Sequence, residues 1–257
     1  MLPLAASAQT DAHALEQAWK GKQKTLRSYS ADPIARFDWT DGTLAESPIT
    51  IHTLAIFTTH SVKLKSGKLV VEGDRATLVQ NKKKAIVASE ASAPMTLEID
   101  LHGADPATAF PSLEPLLFFP DTTTAIAALP HPVQDMLASE LGVATEPANC
   151  KCLRLLIDGH WVSKEYEDPL LKAPRLTAVP KPNFNATAHK HVSGSIGLLL
   201  FVTDTGRVGQ VWLTKPIGHG LDESEETEVR SYIFKPAQYD GKVVFAAFSY
   251  GVDLDLS

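Results

Sequence analysis

The chain has little cysteine, no long apolar run and no excess of positive charge, and each shortage removes a class of protein. Two cysteines in 257 residues argue against a small disulfide-built scaffold. No second Cys pair or paired His follows at ligand spacing, which argues against a zinc finger or ribbon. Cys150 and Cys152 stand at i and i+2 in the strand-like run that ends at Ile157. On an extended strand they share a face and bridge only if the backbone turns, which leaves two half-buried thiols or one local disulfide. The longest apolar run, Ile196 to Val202, has the length of a strand and falls far short of the ~20 residues that cross a bilayer as a helix. Lys and Arg total 24 against 30 Asp and Glu, a formal charge of -6 with the signs interleaved. There is no basic stripe for a phosphate backbone, so no nucleic acid is expected as a partner.

Catalytic patterns are equally scarce. No G-x-S-x-G elbow stands near Asp158-Gly159-His160-Trp161, and Gly218-His219-Gly220 lacks the strand and helix that frame a phosphate loop. His189 and His191 would share a face of an extended segment, where two histidines read as exposed strand residues rather than a metal pair. The expectation is a non-enzyme with no catalytic residue, no metal and no cofactor.

What is present is an ordinary globular composition, 44% hydrophobic and 21% charged, with room for one large or two modest domains. Residues 1–10 contain the small-x-small pattern Ala6-Ser7-Ala8. They read as the tail of a signal peptide or anchor that begins upstream, or as a disordered terminus. Residues 11–168 read as a β-rich N-terminal domain. Partial helical spacing at Ala14, Leu15, Ala18 and Trp19 predicts a short helix, after which the period falls to two between Ile49 and Leu101. Strands over residues 62–65, 68–72, 76–80, 85–88 and 95–101 predict an antiparallel meander. Its turns are Ser66-Gly67, Gly73-Asp74 and the solvated run Lys82-Lys83-Lys84. From Pro106 to Leu141, prolines at 111, 115, 120, 130 and 132 predict short, interrupted helices. Asp158-Gly159 offers a hairpin turn between a strand ending at Ile157 and Trp161-Val162. Prolines at 169, 174, 180 and 182 predict an extended connector over residues 169–193.

Residues 194–257 carry the densest pattern. Ile196 to Val202, the turn Asp204-Thr205-Gly206 and the strand through Val208, Val211 and Leu213 predict a hairpin. Asp222 with Glu225 three residues on fits a capping box, and Val229, Tyr232 and Ile233 give the following helix an apolar stripe that ends before Pro236. Asp240-Gly241 then turns the chain into a last strand rich in aromatic and branched residues from Val243.

These residues resemble the C-terminal domain of the TonB family of energy transducers. The likeness is carried by Pro180-Lys-Pro182-Asn-Phe184, Gly194-x-x-Gly197, Asp204-x-Gly206-Arg-Val208, Leu221-Asp222, Tyr232-Ile-Phe234-Lys-Pro236-Ala237 and Asp240-Gly241. It extends over residues 174–257. The chain as a whole is then expected to be α+β, the β-rich N-terminal domain with short helices followed by the small β-β-α-β domain that the resemblance implies. The resemblance also implies a periplasmic protein that adds the TonB box of an outer-membrane receptor to a sheet edge. That edge is expected along Val243, Val244, Phe245, Ala246, Ala247, Phe248, Ser249 and Tyr250. If an anchor precedes the chain, the ExbB and ExbD motor is a further expected partner. The alternative is an envelope scaffold, or a homodimer formed through the same sheet, without energy transfer.

Overall fold

The structure is a computed structural model of the chain and describes residues 4–49, 51–83, 85–140, 152–178, 193–217 and 221–255. Strands hold 54% of it and helices 20%, so the fold is mostly β and the expected α+β class is overturned. The chain forms two compact units, Met1–Leu78 with Ala88–Ala128, and Val79–Val87 with Leu129–Ser257.

The first unit is a curled half-barrel of seven strands. In chain order these are β1 (Gln23–Leu26), β2 (Ile34–Thr40), β3 (Thr43–Glu46), β4 (Ala55–Lys65), β5 (Lys68–Gln80), β6 (Ile86–Asp100) and β7 (Phe118–Phe119). The sheet order is β3-β2-β6-β5-β4-β1-β7, with β2 parallel to β6. Helix α1 (Leu4–Trp19) packs on β4 and on α2 (Pro106–Leu117), and the short α3 (Thr122–Ala127) follows β7. Residues 4–10 form the first turns of α1, as alanine-rich sequence favours. The core gathers Trp19, Phe57, Leu69, Leu97, Ile99 and Leu113, all buried.

Two strands are longer than the period-two reading allows. The expected turn at Gly73-Asp74 lies inside β5, beside a register shift between Thr59 and Ser61 of β4. A Cβ at Gly73 would fall 2.5 Å from the Phe57 ring and 2.4 Å from the Thr58 carbonyl oxygen. This glycine permits close approach and does not reverse the chain. The Ser- and Ala-rich stretch of β6 is likewise continuous strand, held by its neighbours rather than by its own propensity.

The second unit begins with α4 (His131–Glu140) and the hairpin of β8 (Cys152–Ile157) and β9 (His160–Glu165). Its remaining strands are β10 (Leu171–Lys172), β11 (Arg175–Ala178), β12 (Ser193–Val202), β13 (Val208–Lys215), β14 (Ile233–Lys235), β15 (Ala237–Tyr239) and β16 (Lys242–Asp255), with α5 (Leu221–Arg230) after β13. The main path runs β10-β15-β16-β12-β13, and β8 adds to β16. Where it is described, the expected connector is paired chain, since β10 joins β15 and β11 joins β14.

The helix expected to run up to Pro236 stops at Arg230. Ile233–Lys235 instead forms β14, because its backbone finds sheet partners: Phe234 N donates to Gly206 O at 2.8 Å, and β11 pairs alongside. Three of the expected turn dipeptides do turn the chain. Ser66, Asp158 and Asp240 take φ near +50°, each followed by a glycine at positive φ, as tight hairpin turns require.

Candidate functional site

The strand to which the sequence assigns peptide capture is β16, and the structure pairs all of that segment on at least one edge and Ala246 and Ala247 on both. Val243 and Val244 pair with Gln238 and Ala237 of β15. Phe245, Ala246 and Ala247 pair with Leu156, Leu155 and Arg154 of β8. Ala246 and Ala247 also pair with Val202 and Phe201 of β12, so both their edges are occupied. Phe248, Ser249 and Tyr250 pair with Leu200, Leu199 and Leu198 on the β12 side. Among the described residues no strand pairs with the other edge of Phe248–Asp255. At about 3.3 Å per residue that stretch is roughly 26 Å long.

Alternation along β16 sorts its side chains. Phe248 and Tyr250 are half-buried, while Val243, Phe245, Ser249 and Gly251 are exposed on the opposite face. The inner face is braced by the aromatic motif that precedes β15. The Phe234 ring meets Phe248 edge-on at 5.6 Å between centroids, and Tyr232 meets Tyr250 at 5.9 Å. Leu221, Val229 and Ala237 are fully buried. Gly206 shapes the turn instead of the face, since at φ +80° a Cβ there would stand 1.9 Å from Phe234 O. Only glycine lets the β12–β13 turn accept the Phe234 N–H and close against Pro236. A Cβ at Gly194 would meet Ile217 Cδ1 at 2.7 Å, whereas Gly241 has open space and serves the Asp240-Gly241 turn.

Asp222 ties α5 to the segment before it. It lies within the helix, and its Oδ1 accepts the Ile217 N–H at 2.9 Å. The acidic residues of α5 are also less exposed than a solvated face would be, with Glu225 and Glu226 both buried. Glu226 accepts from Arg230 Nε at 2.5 Å. Burial, and then the neighbouring Glu228 charge, push the Glu225 carboxyl up from 4.5 to about 7. Tyr232 donates to Glu228 Oε1 at 3.2 Å, and burial holds its hydroxyl well above the ordinary tyrosine range.

In the first unit Asp38, Asp100 and His102 place one ligand atom each within 4.8 Å of one another. Asp38 and Asp100 are register partners on β2 and β6. His102 Nε2 lies 3.0 Å from Asp38 Oδ1, and the His102 N–H, donating to Asp100 Oδ1 at 2.9 Å, is the main cause that lowers the Asp100 pKa. Lys68 lies 3.3 Å from Asp100 Oδ2, so the aspartates already face two cationic or polar donors. These residues could hold an ion, and sequence inspection missed them because the parallel pairing of β2 and β6 brings them together. His189, His191, Gly218, His219, Gly220, Cys150 and the segment from Pro180 to Phe184 lie outside the described residues. Cys152 is disulfide-bonded.

The residues most missed by the sequence are Arg154, Leu155 and Leu156 of β8. Their strand was legible from Leu153-Arg154-Leu155-Leu156 and the Asp158-Gly159 turn, but nothing local says that β16 is its partner. No helix among the described residues is long and apolar enough to cross a membrane. Comparison with models of known protein families, with curated proteins and with solved structures returns no match.

Proposed function

We propose that the second unit is a TonB-like peptide-capture domain of the periplasm, which receives an extended segment of an outer-membrane receptor as an added strand and supports energy-dependent transport. The observation that carries this reading is the edge of β16 from Phe248 to Asp255 opposite β12, to which no strand is paired among the described residues. A strand edge of this kind offers unpaired N–H and C=O groups to an extended peptide, and the alternating side chains supply selectivity. Two features support it: the order β13-β12-β16 with α5 joining β13 to β14, and the closure of the Gly206 turn onto Phe234. The ExbB and ExbD motor enters this reading only through an anchor.

The proposal narrows the expected site. Val243–Ala247 is covered by β15 and β8 on the side away from β12, so capture on that side is assigned to Phe248, Ser249, Tyr250 and the residues beyond. Titration of the full chain with TonB-box peptides, followed by backbone amide shifts, should perturb Phe248–Asp253. Proline placed at alternate peptide positions should weaken binding, because each one deletes a ladder donor. No shift at millimolar peptide, or shifts confined to β13 at the far end of the sheet, would overturn the reading. Dimerisation through the same sheet is favoured by a separate observation, the exposure of Val243 and Phe245 at 46% and 39%. Sedimentation equilibrium of the full chain distinguishes it, since a dimer broken by Phe245→Ser would support the second reading.

A further inference from the structure

The first unit carries a groove of about 740 Å³, lined chiefly by β1, β7 and the turn into α3. Its lining mixes polar side chains with the apolar Ile56, Phe118, Phe119 and Pro120. Two cations face it and their situations differ. Lys24 is neutralised by Glu114, whose pKa is lowered chiefly by that hydrogen bond. Arg27 pairs with no carboxylate among the described residues. Its Nε donates to Pro115 O at 2.7 Å and to Phe118 O at 3.1 Å, and its guanidinium carbon stands 4.5 Å from the Phe119 ring centroid. The head group is therefore fixed at one nitrogen and on one face, while its terminal N–H groups, which are the pair that grip a carboxylate side by side, are left over. The groove is also lined by the Asp121 carboxylate, whose Oδ1 accepts the Thr124 N–H at 2.7 Å, the bond that chiefly lowers its pKa.

A pocket of a few hundred cubic ångströms that combines apolar lining residues with a few oriented polar groups is the usual form of a small-molecule site. We infer that this groove binds a small amphipathic carboxylate, with the carboxylate on the terminal nitrogens of Arg27 and the apolar body over Phe118, Phe119 and Pro120. Donor geometry chooses the occupant: Lys24 is held by Glu114, whereas the exposed Arg27 has no carboxylate partner among the described residues and keeps its terminal N–H groups free to take a carboxylate side by side.

The test uses the full chain and three eight-carbon probes, octanoate, 1-octanol and octyl phosphate, titrated by calorimetry and by amide shifts. Octanoate is expected to saturate with shifts at Thr25, Arg27 and Phe119, and to bind at least about tenfold more tightly than 1-octanol. Arg27→Met should abolish that preference, and Arg27→Lys should keep only part of it because the forked donor is lost. Arg27 also ties two carbonyls, so the comparison of probes on the unsubstituted chain decides the matter if Arg27→Met fails to fold. Equal binding of octanoate and 1-octanol, unchanged octanoate affinity in a folded Arg27→Met chain, or no saturable shift at about 10 mM probe would each overturn the inference. Tighter binding of octyl phosphate than of octanoate would overturn the carboxylate assignment and make the head group a phosphate.

Discussion

Replacing Glu225 by glutamine should stabilise the second unit at alkaline pH and do almost nothing in acid. Glu225 is 8% exposed on α5, and its carboxyl titrates at about 7 rather than 4.5 because burial disfavours the charge and Glu228 adds to it. The sign follows from which state holds the proton. Between 4.5 and about 7 the folded chain binds a proton that the unfolded chain has released, so this group's contribution falls as pH rises through that window and is flat above it. At about 1.36 kcal/mol per unit, a shift of this size sets an upper bound near 3 kcal/mol, and partial solvation of the helix end lowers the expectation to about 1–3 kcal/mol. Urea unfolding followed by tryptophan fluorescence, on both chains at about pH 5 and pH 8, measures it. The variant should be more stable than the parent at pH 8, with the difference nearly gone at pH 5. Taking the difference between the two chains cancels the other titrating groups. An equal difference at both pH values, or a variant less stable at pH 8, would refute the account of a carboxyl held in an apolar setting.

Two further substitutions probe the frame around β16. Gly206→Ala would drive a Cβ to 1.9 Å from Phe234 O in a left-handed turn, and should cost about 3 kcal/mol or more in chemical unfolding. A loss under about 1 kcal/mol would mean that the turn relaxes away from β14 at little cost. Leu155→Ala removes a side chain with no exposed surface, which should cost about 2–4 kcal/mol. It should also loosen β8, so hydrogen exchange at Phe245 and Ala247 should accelerate more than exchange at Leu199 or Leu200. Uniform acceleration would show that β8 and β12 hold β16 as one cooperative piece.

Features fixed by a few adjacent residues were legible. Ser66-Gly67, Asp158-Gly159 and Asp240-Gly241 turn the chain because a residue that tolerates the left-handed region is followed by glycine. Pro120 and Pro130 likewise fall at the breaks between α2, α3 and α4, whereas Pro111 and Pro115, expected to interrupt a helix, lie inside α2. Features fixed by distant partners were not. Gly73 reads as a turn, yet it lies mid-strand because Phe57 needs the space above it. Tyr232 and Ile233 complete a helical stripe on paper, but the strand partners of residues 233–235 outweigh the helical pattern. The class itself was misjudged for the same reason: β6 and the pairs β10–β15 and β11–β14 are strands by tertiary pairing rather than by period.

The candidate edge shows the same division within one strand. Its composition, from Val243 to Tyr250, told correctly that it would be a strand, because aromatic and branched residues fit a pleated surface. Which of its edges is open depends on where β8 lands, and that contact joins residues far apart in the chain. The landing point has a physical consequence. Leu153 and Leu155 are buried with Ala237 and Ala246, so β8 is anchored by apolar packing and not by backbone pairing alone. An incoming peptide would therefore start beyond Ala247, where the inner face is stiffened by the Phe234–Phe248 and Tyr232–Tyr250 contacts. A rigid strand loses little conformational entropy when a partner is added, which favours capture on this stretch over any edge that must first be ordered.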